Sequence, residues 1–263
     1  MTRDVDPVTV EVVTSGLASA ANEMGITLRQ TSSSTIFNEG NDYSCGIFNT
    51  GAELVSHGEF LPIHLGSLPY SVRYAIDEVG VENFVSGDSI ILNDPFRGGS
   101  HLPDVTLVTP IFHEGELIGW GANRAHHLDV GGTVAGSFYS EARENYQEGL
   151  RIPPVKLIKG GRVDAEIMEM ILANVRLAKS MRSDLLSQVS ANLTATRRVV
   201  ELVERYGLET VNRSMEIEMD ASERRVRAAI RKWPDGRYSA EDSMDNDGIT
   251  DVPRTVRVTV EVH

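Results

Sequence analysis

The chain is predicted to be an α+β protein, with an N-terminal helix, a mainly antiparallel mixed sheet carrying a metal-site hairpin, and a helical segment after it. Three observations lead there. Val10, Val13, Leu17, Ala21, Met24 and Leu28 recur at threes and fours, which is one apolar helix face. Two strand candidates, Val105 to Phe112 and Leu117 to Ala125, are separated only by the turn signal HEGE at residues 113–116. Glycine and proline are absent from Val163 through Tyr206, so nothing local breaks a helical run there.

Taken in order, Asp6-Pro7 reads as an N-cap followed by proline at the first helical position. Tyr43 to Phe48 is a strand candidate closed by the turn Asn49-Thr50-Gly51. Leu68 to Val79 is a second helix stopped by Gly80, and Ser89 to Leu92 a further strand. Arg151-Ile152-Pro153-Pro154 is an extended connector. Asp164 to Tyr206 divides into two or three helices with a break expected near Ser180 to Ser183, and Val211 to Trp233 forms another helix, its Glu and Arg residues a solvated face. Pro234-Asp235-Gly236 is a turn, and Thr255 to Val262 alternates as a strand. The expected regions are 1–150, holding the candidate site, 151–233, helical, and 234–263, the start of a β-rich region that continues in another segment or chain. An alternating strand at the terminus leaves unpaired backbone groups, so a separate chain supplying the missing half is one expected partner.

Composition narrows the function. A net charge of −13 does not suit nucleic acid, which needs a basic footprint, nor an anionic membrane surface. The N-terminus has no apolar signal region and no apolar run is long enough to span a bilayer. The single cysteine allows no internal disulfide, and the expected location is the cytoplasm. Cys45 reads as a buried, inert thiol and His64, in an apolar run, as a structural histidine.

The stretch GGSHLPDVT, residues 98–106, puts His101 and Asp104 on a loop entering a strand. A three-residue turn, Glu114 to Glu116, would pair His113 with Leu117 and Asp104 with His126 in the next strand. A two-residue turn shifts this pairing by one position and keeps them close. Neighbouring strand residues face opposite ways, so His126 and His127 cannot both join Asp104. Two imidazoles and a carboxylate suit Zn, Mn or Fe with positions left open. Asp42, Glu148 and His127 are the further candidates for catalytic roles. Asp42 also reads as a turn cap, and Glu148 lies beyond a Gly-rich stretch, VGGTVAGS, that could cover the site. Neither GxxxxGK[ST] nor GxGxxG is present, so no nucleotide pocket is expected in this chain.

Together DPVTVEVV, DYSCGIF, LPIHLGSLP, GDSIILNDPFRGGSHLPDVTLVTPIF, NRAHHLDVGG, EGLRIPPVKL and PDGRYSAEDSMDNDG resemble the hydantoinase B family. That family comprises B-type subunits of ATP-dependent hydantoinases and oxoprolinases and the alpha subunits of acetone and acetophenone carboxylases. The resemblance spans the whole chain in the family's order, although family members usually run about twice this length. It implies a metal held by His101, Asp104 and His126, and an A-type partner subunit that binds ATP and phosphorylates a carbonyl or enol oxygen. The start of DPVTVEVV close to Met1 favours cyclic amide hydrolysis. The alternatives are the ketone carboxylase alpha subunit and a non-catalytic assembly subunit.

Overall fold

The computed structural model describes residues 5–263. The helices are α1 (Pro7–Thr31), α2 (Thr35–Asn38), α3 (Leu68–Val79), α4 (Asn145–Glu148), α5 (Ala165–Ala173), α6 (Ala178–Tyr206) and α7 (Leu208–Ile230). The strands are β1 (Tyr43–Phe48), β2 (Leu54–His57), β3 (Ser89–Leu92), β4 (Asp104–His113), β5 (Glu116–His126), β6 (Val155–Lys159), β7 (Arg162–Val163), β8 (Gly236–Met244) and β9 (Arg254–Val262). The class is the expected α+β.

α1 begins where the sequence places it. The Asp6 carboxylate accepts the Val8 and Thr9 amides at 3.1 Å each, and Pro7 follows at a position that has no amide bond to lose. Its buried face, Val13, Leu17, Ala21, Met24 and Leu28, is the predicted stripe apart from Val10, which is only half-buried. Each such large side chain contributes roughly 1.5–3 kcal/mol by burial, against about 1 kcal/mol for the cap. Packing therefore holds the helix, and the cap sets where it starts.

Seven strands form one sheet in the order β2-β1-β5-β4-β3-β6-β7, and each neighbouring pair runs antiparallel. Strand alternation sorts the core into two faces. Odd-numbered residues such as Tyr43, Cys45, Ile91, Val105 and Leu107 pack on α1, α5, α6 and α7. Even-numbered residues such as Phe48, Ile90, Val108, Trp120 and Ala122 pack on α3. β8 and β9 pair in a separate two-stranded sheet whose side chains are almost all exposed. No helix among the described residues is long and apolar enough to cross a membrane.

Three local expectations are corrected. The turn between β4 and β5 has two residues, Glu114 and Gly115, at φ +50° and +85°, and His113 pairs with Glu116. These positive values suit the tight hairpin turn that follows strand twist. A bulge at Ile118 then adds one residue, so Ile111 pairs with Gly119 and Asp104 with His126, the register expected from the longer turn. The helical break falls between Ala173 and Ala178 instead of near Ser180. There the Arg176 amide and guanidinium both donate to Asp129, at 3.1 and 3.0 Å, a distant partner that replaces helical bonding. Likewise α7 starts at Leu208, three residues before the expected Val211.

Candidate metal centre

The even face of the sheet carries a polar cluster beyond the start of α3. Asp104 opens β4 and His126 closes β5, and the hairpin register sets them opposite each other. His101 arrives from the loop before β4, which Gly98 turns with φ +83°. A Cβ on Gly98 would stand 2.6 Å from the Ser71 amide nitrogen, so this loop lies against α3 as only glycine permits. Asn93, fully buried, pins the same region by donating to the carbonyls of Leu102 and Leu150 at 2.7 and 2.9 Å.

His101 Nε2 lies 2.7 Å from Asp104 Oδ1, His126 Nδ1 lies 3.0 Å from that same oxygen, and the two ring nitrogens are 3.0 Å apart. The three contacts cannot all be hydrogen bonds at once: when both imidazole nitrogens donate to the carboxylate oxygen, the 3.0 Å contact between the nitrogens sets one hydrogen against the other. A shared cation satisfies all three at once. The donor set therefore fits a divalent metal, and the three ligand atoms lie within 4.8 Å of one another.

The other Asp104 oxygen, Oδ2, accepts from Ser100 Oγ at 2.5 Å and lies 3.3 Å from His64 Nδ1. His64 Nε2 in turn lies 3.0 Å from Asp42 Oδ1, so one imidazole links two carboxylates. Burial by itself would raise the Asp104 pKa. Contacts with His101, His126, His64 and Ser100 outweigh it and hold the carboxyl well below the usual range. His101 is shifted upward, chiefly by its hydrogen bond to Asp104 and against the effect of burial.

Beneath the cluster lies Arg124, wholly buried. Its guanidinium donates to Thr106 Oγ1 at 2.8 Å, to Ser71 Oγ at 2.5 Å, to the Gly98 carbonyl at 2.8 Å and to Ser67 Oγ. These bonds tie the His101 loop and the start of α3 to β5. Burial lowers the Arg124 pKa to about 10.

The remaining candidates separate. Asp42 lines a cavity of about 860 Å³ together with His101, Asp104, His126 and His64. Glu148 ends α4, half-buried, and adds a small upward influence on His101. His127 is a correction: it faces the helical layer, away from the cluster. Its Nε2 donates to Gln188 Oε1 at 2.9 Å, and its ring meets the Phe37 ring at 5.2 Å. The assignment follows because Gln188 uses its amide nitrogen on Val105 and Asn123. Burial pushes the His127 pKa down, which suits a neutral packed ring. His64 is the opposite correction, since the residue read as structural joins the cluster. Pro62 and Gly66, which bracket it much as glycine and proline bracket His101, were the available signal.

The sequence matches the hydantoinase B/oxoprolinase family over residues 6–263. It is 38% identical over 244 residues to the caprolactamase subunit beta of Pseudomonas jessenii, covering 93% of this chain and 42% of that protein. The crystal structure of the ATP-dependent caprolactamase from Pseudomonas jessenii superposes with a TM-score of 0.92 at 35% identity, covering 99% of this chain and 45% of that one. A nucleotide-free acetone carboxylase structure shares the fold at TM-score 0.81 and 18% identity, covering 98% of this chain and 35% of that one. The chain spans less than half the length of these curated relatives that it matches.

Proposed function

The chain belongs to the hydantoinase B/oxoprolinase family, and from that premise we propose that it is the metal-bearing B-type part of an ATP-dependent cyclic amide hydrolase. ATP is bound by an A-type partner subunit and not by this chain. The observation that carries the reading is the convergence of His101, Asp104 and His126 on one point at the edge of a cavity. The relative named above as an ATP-dependent caprolactamase supports a lactam over a ketone, since the carboxylase likeness is one of fold alone.

His101, Asp104 and His126 would hold Zn, Mn or Fe, which when bound polarises a carbonyl and makes water more acidic. The depressed pKa of Asp104 keeps its carboxylate anionic across the working pH range, the form that ligates a cation. His64 fixes Asp42 at the cavity wall, where the Asp42 carboxylate accepts a proton from water attacking the carbonyl carbon. The A-type subunit first transfers the γ-phosphoryl group to the amide oxygen, because an amide carbonyl is otherwise a poor electrophile. Water oxygen then bonds to that carbon, the ring C–N bond breaks, and the nitrogen leaves with a proton. A second water frees phosphate from the acyl phosphate, giving the open amino acid, ADP and phosphate. Within this reading residues 1–150 carry the site, 151–233 brace the sheet behind it, and 234–263 begin a β-rich region.

The test is reconstitution with the A-type partner and a panel of hydantoins, oxoproline and lactams, run beside acetone and acetophenone with bicarbonate. Ring opening coupled to ATP consumption is expected, with none from this chain alone and a large loss in kcat on Asp42→Asn. Product only from ketone plus bicarbonate would transfer the site to the carboxylase reading. A bound metal with no turnover of any substrate would mark an assembly subunit.

A further inference from the structure

The wall of the cavity points to a substrate class. Its polar groups gather at one end, and the rest of the lining includes Ile36, Leu61, Ile63 and Phe138. Ile63 and Phe138 are each 75% exposed, and Leu61 is 37% exposed. Apolar side chains gathered around a few convergent polar groups are the usual wall of a small-molecule site. Phe138 stands edge-on to His101 at 6.1 Å and lies 6.2 Å from His126, which sets its ring beside the cluster.

The charges point the same way. The cavity is lined by two carboxylates, Asp42 and Asp104, and by no lysine or arginine among the described residues. The arginines on neighbouring loops already have partners. Arg97 bonds Glu78 at 2.9 Å and lies 3.7 Å from Asp94, and Arg151 lies 3.7 Å from the same Asp94. Arg124 is occupied by hydroxyls and a carbonyl beneath the sheet surface. The described lining therefore offers a ring carboxylate no lysine or arginine to pair with. A ring carboxylate would enter unpaired beside Asp42, whereas an apolar ring would cover Ile63 and Phe138.

We infer that the site selects neutral cyclic amides with an apolar ring or ring substituent and discriminates against ring carboxylates such as 5-oxoproline. This rests on the reading of the site as one that opens a cyclic amide. The amide end of the ring faces His101 and His126, and the methylene or aryl end lies between Ile63 and Phe138.

Two measurements on the complete enzyme with its partner subunit test this. Without ATP, calorimetry compares binding of δ-valerolactam and 5-benzylhydantoin with binding of 5-oxoproline. With ATP, kcat/KM is compared for the same compounds. The neutral rings are expected to be favoured at least about 10-fold in both. Phe138→Ala should cost the neutral rings roughly 10-fold, mainly in KM, and Ile63→Lys should move the preference toward 5-oxoproline. Equal or better binding of 5-oxoproline by the native enzyme overturns the inference. So does a Phe138→Ala enzyme that loses its partner subunit while keeping the same substrate ratios, because the apolar rim would then be an interface. If no ring is turned over the cyclic amide reading fails, and the binding comparison without ATP still decides this one.

Discussion

His126→Ala and His127→Ala change adjacent residues on opposite faces of the sheet, and their effects should separate cleanly. His126 Nδ1 sits 3.0 Å from both Asp104 Oδ1 and His101 Nε2, so its loss would leave two of the three proposed ligands. Even residues that only support a ligand cost about 10- to 100-fold in metal affinity when removed, so losing the ligand itself should cost at least ~100-fold. At a metal concentration ~100 times the native Kd, binding stabilises the native protein by about 2.7 kcal/mol. The variant, then at about its own Kd, gains only about 0.4 kcal/mol. With a Tm response of about 2–4 °C per kcal/mol for a chain near this size, the metal-induced rise should be roughly 5–11 °C in the native protein. In His126→Ala it should be roughly 1–2 °C.

His127→Ala has a different cost. It removes a ring that is 1% exposed and leaves Gln188 Oε1 without its donor. A cavity of that kind costs roughly 2–4 kcal/mol and an unpaired buried acceptor about 1–3 kcal/mol more. The metal-free Tm should therefore fall, while the metal-induced rise stays near the native value. Differential scanning calorimetry with and without metal, and elemental analysis after dialysis, read both quantities. If folded His127→Ala lost the metal as fully as His126→Ala, the assignment of the two faces would be refuted.

Gly98→Ala places a Cβ 2.6 Å from the Ser71 amide nitrogen at φ +83°, so it should destabilise by about 1–3 kcal/mol. Chemical denaturation measures that loss, and a shift of the His101 loop should appear as weakened metal retention. Asp129 supplies the acid-side prediction. Burial would raise its pKa, but the amides of Arg176, Gly131 and Gly136 and the Arg176 guanidinium lower it. A folded pKa below the unfolded value of about 3.9 stabilises the protein above that pH, and the contribution is lost as pH falls through the folded pKa. Asp129→Asn should thus cost about 1.5–3 kcal/mol near neutrality, with the gap from native narrowing below about pH 4. Urea titrations at several pH values would show it, and a constant gap down to pH 2 would contradict the mechanism.

The hairpin was legible because strand alternation and turn length are local rules. Val105 to Phe112 is dense in β-formers, and HEGE leaves room for little but a turn between it and the run that follows. Alternation allows only one of His126 and His127 to share a face with Asp104, and the bulge at Ile118, which no turn signal announces, makes it His126. The cap at Asp6 and the stop at Gly80 were legible for a similar reason, since each acts within a few residues of chain.

His64 and Arg124 could not be found that way. His64 enters the cluster only because the turn at Pro62–His64 packs against β1, bringing it within reach of Asp42 and Asp104 from far along the sequence. Arg124 reads as one cation in a strand until the fold surrounds it with Ser67, Ser71, Thr106 and Gly98. The break before α6 is set by Asp129, a residue outside the helix, which bonds Arg176 more favourably than the helix could. Periodicity, caps and turns report the preferences of neighbouring residues, and they are written in the sequence. Which buried polar group meets which partner depends on contacts between distant segments, and the cost of leaving such a group unpaired selects them only once the chain has folded.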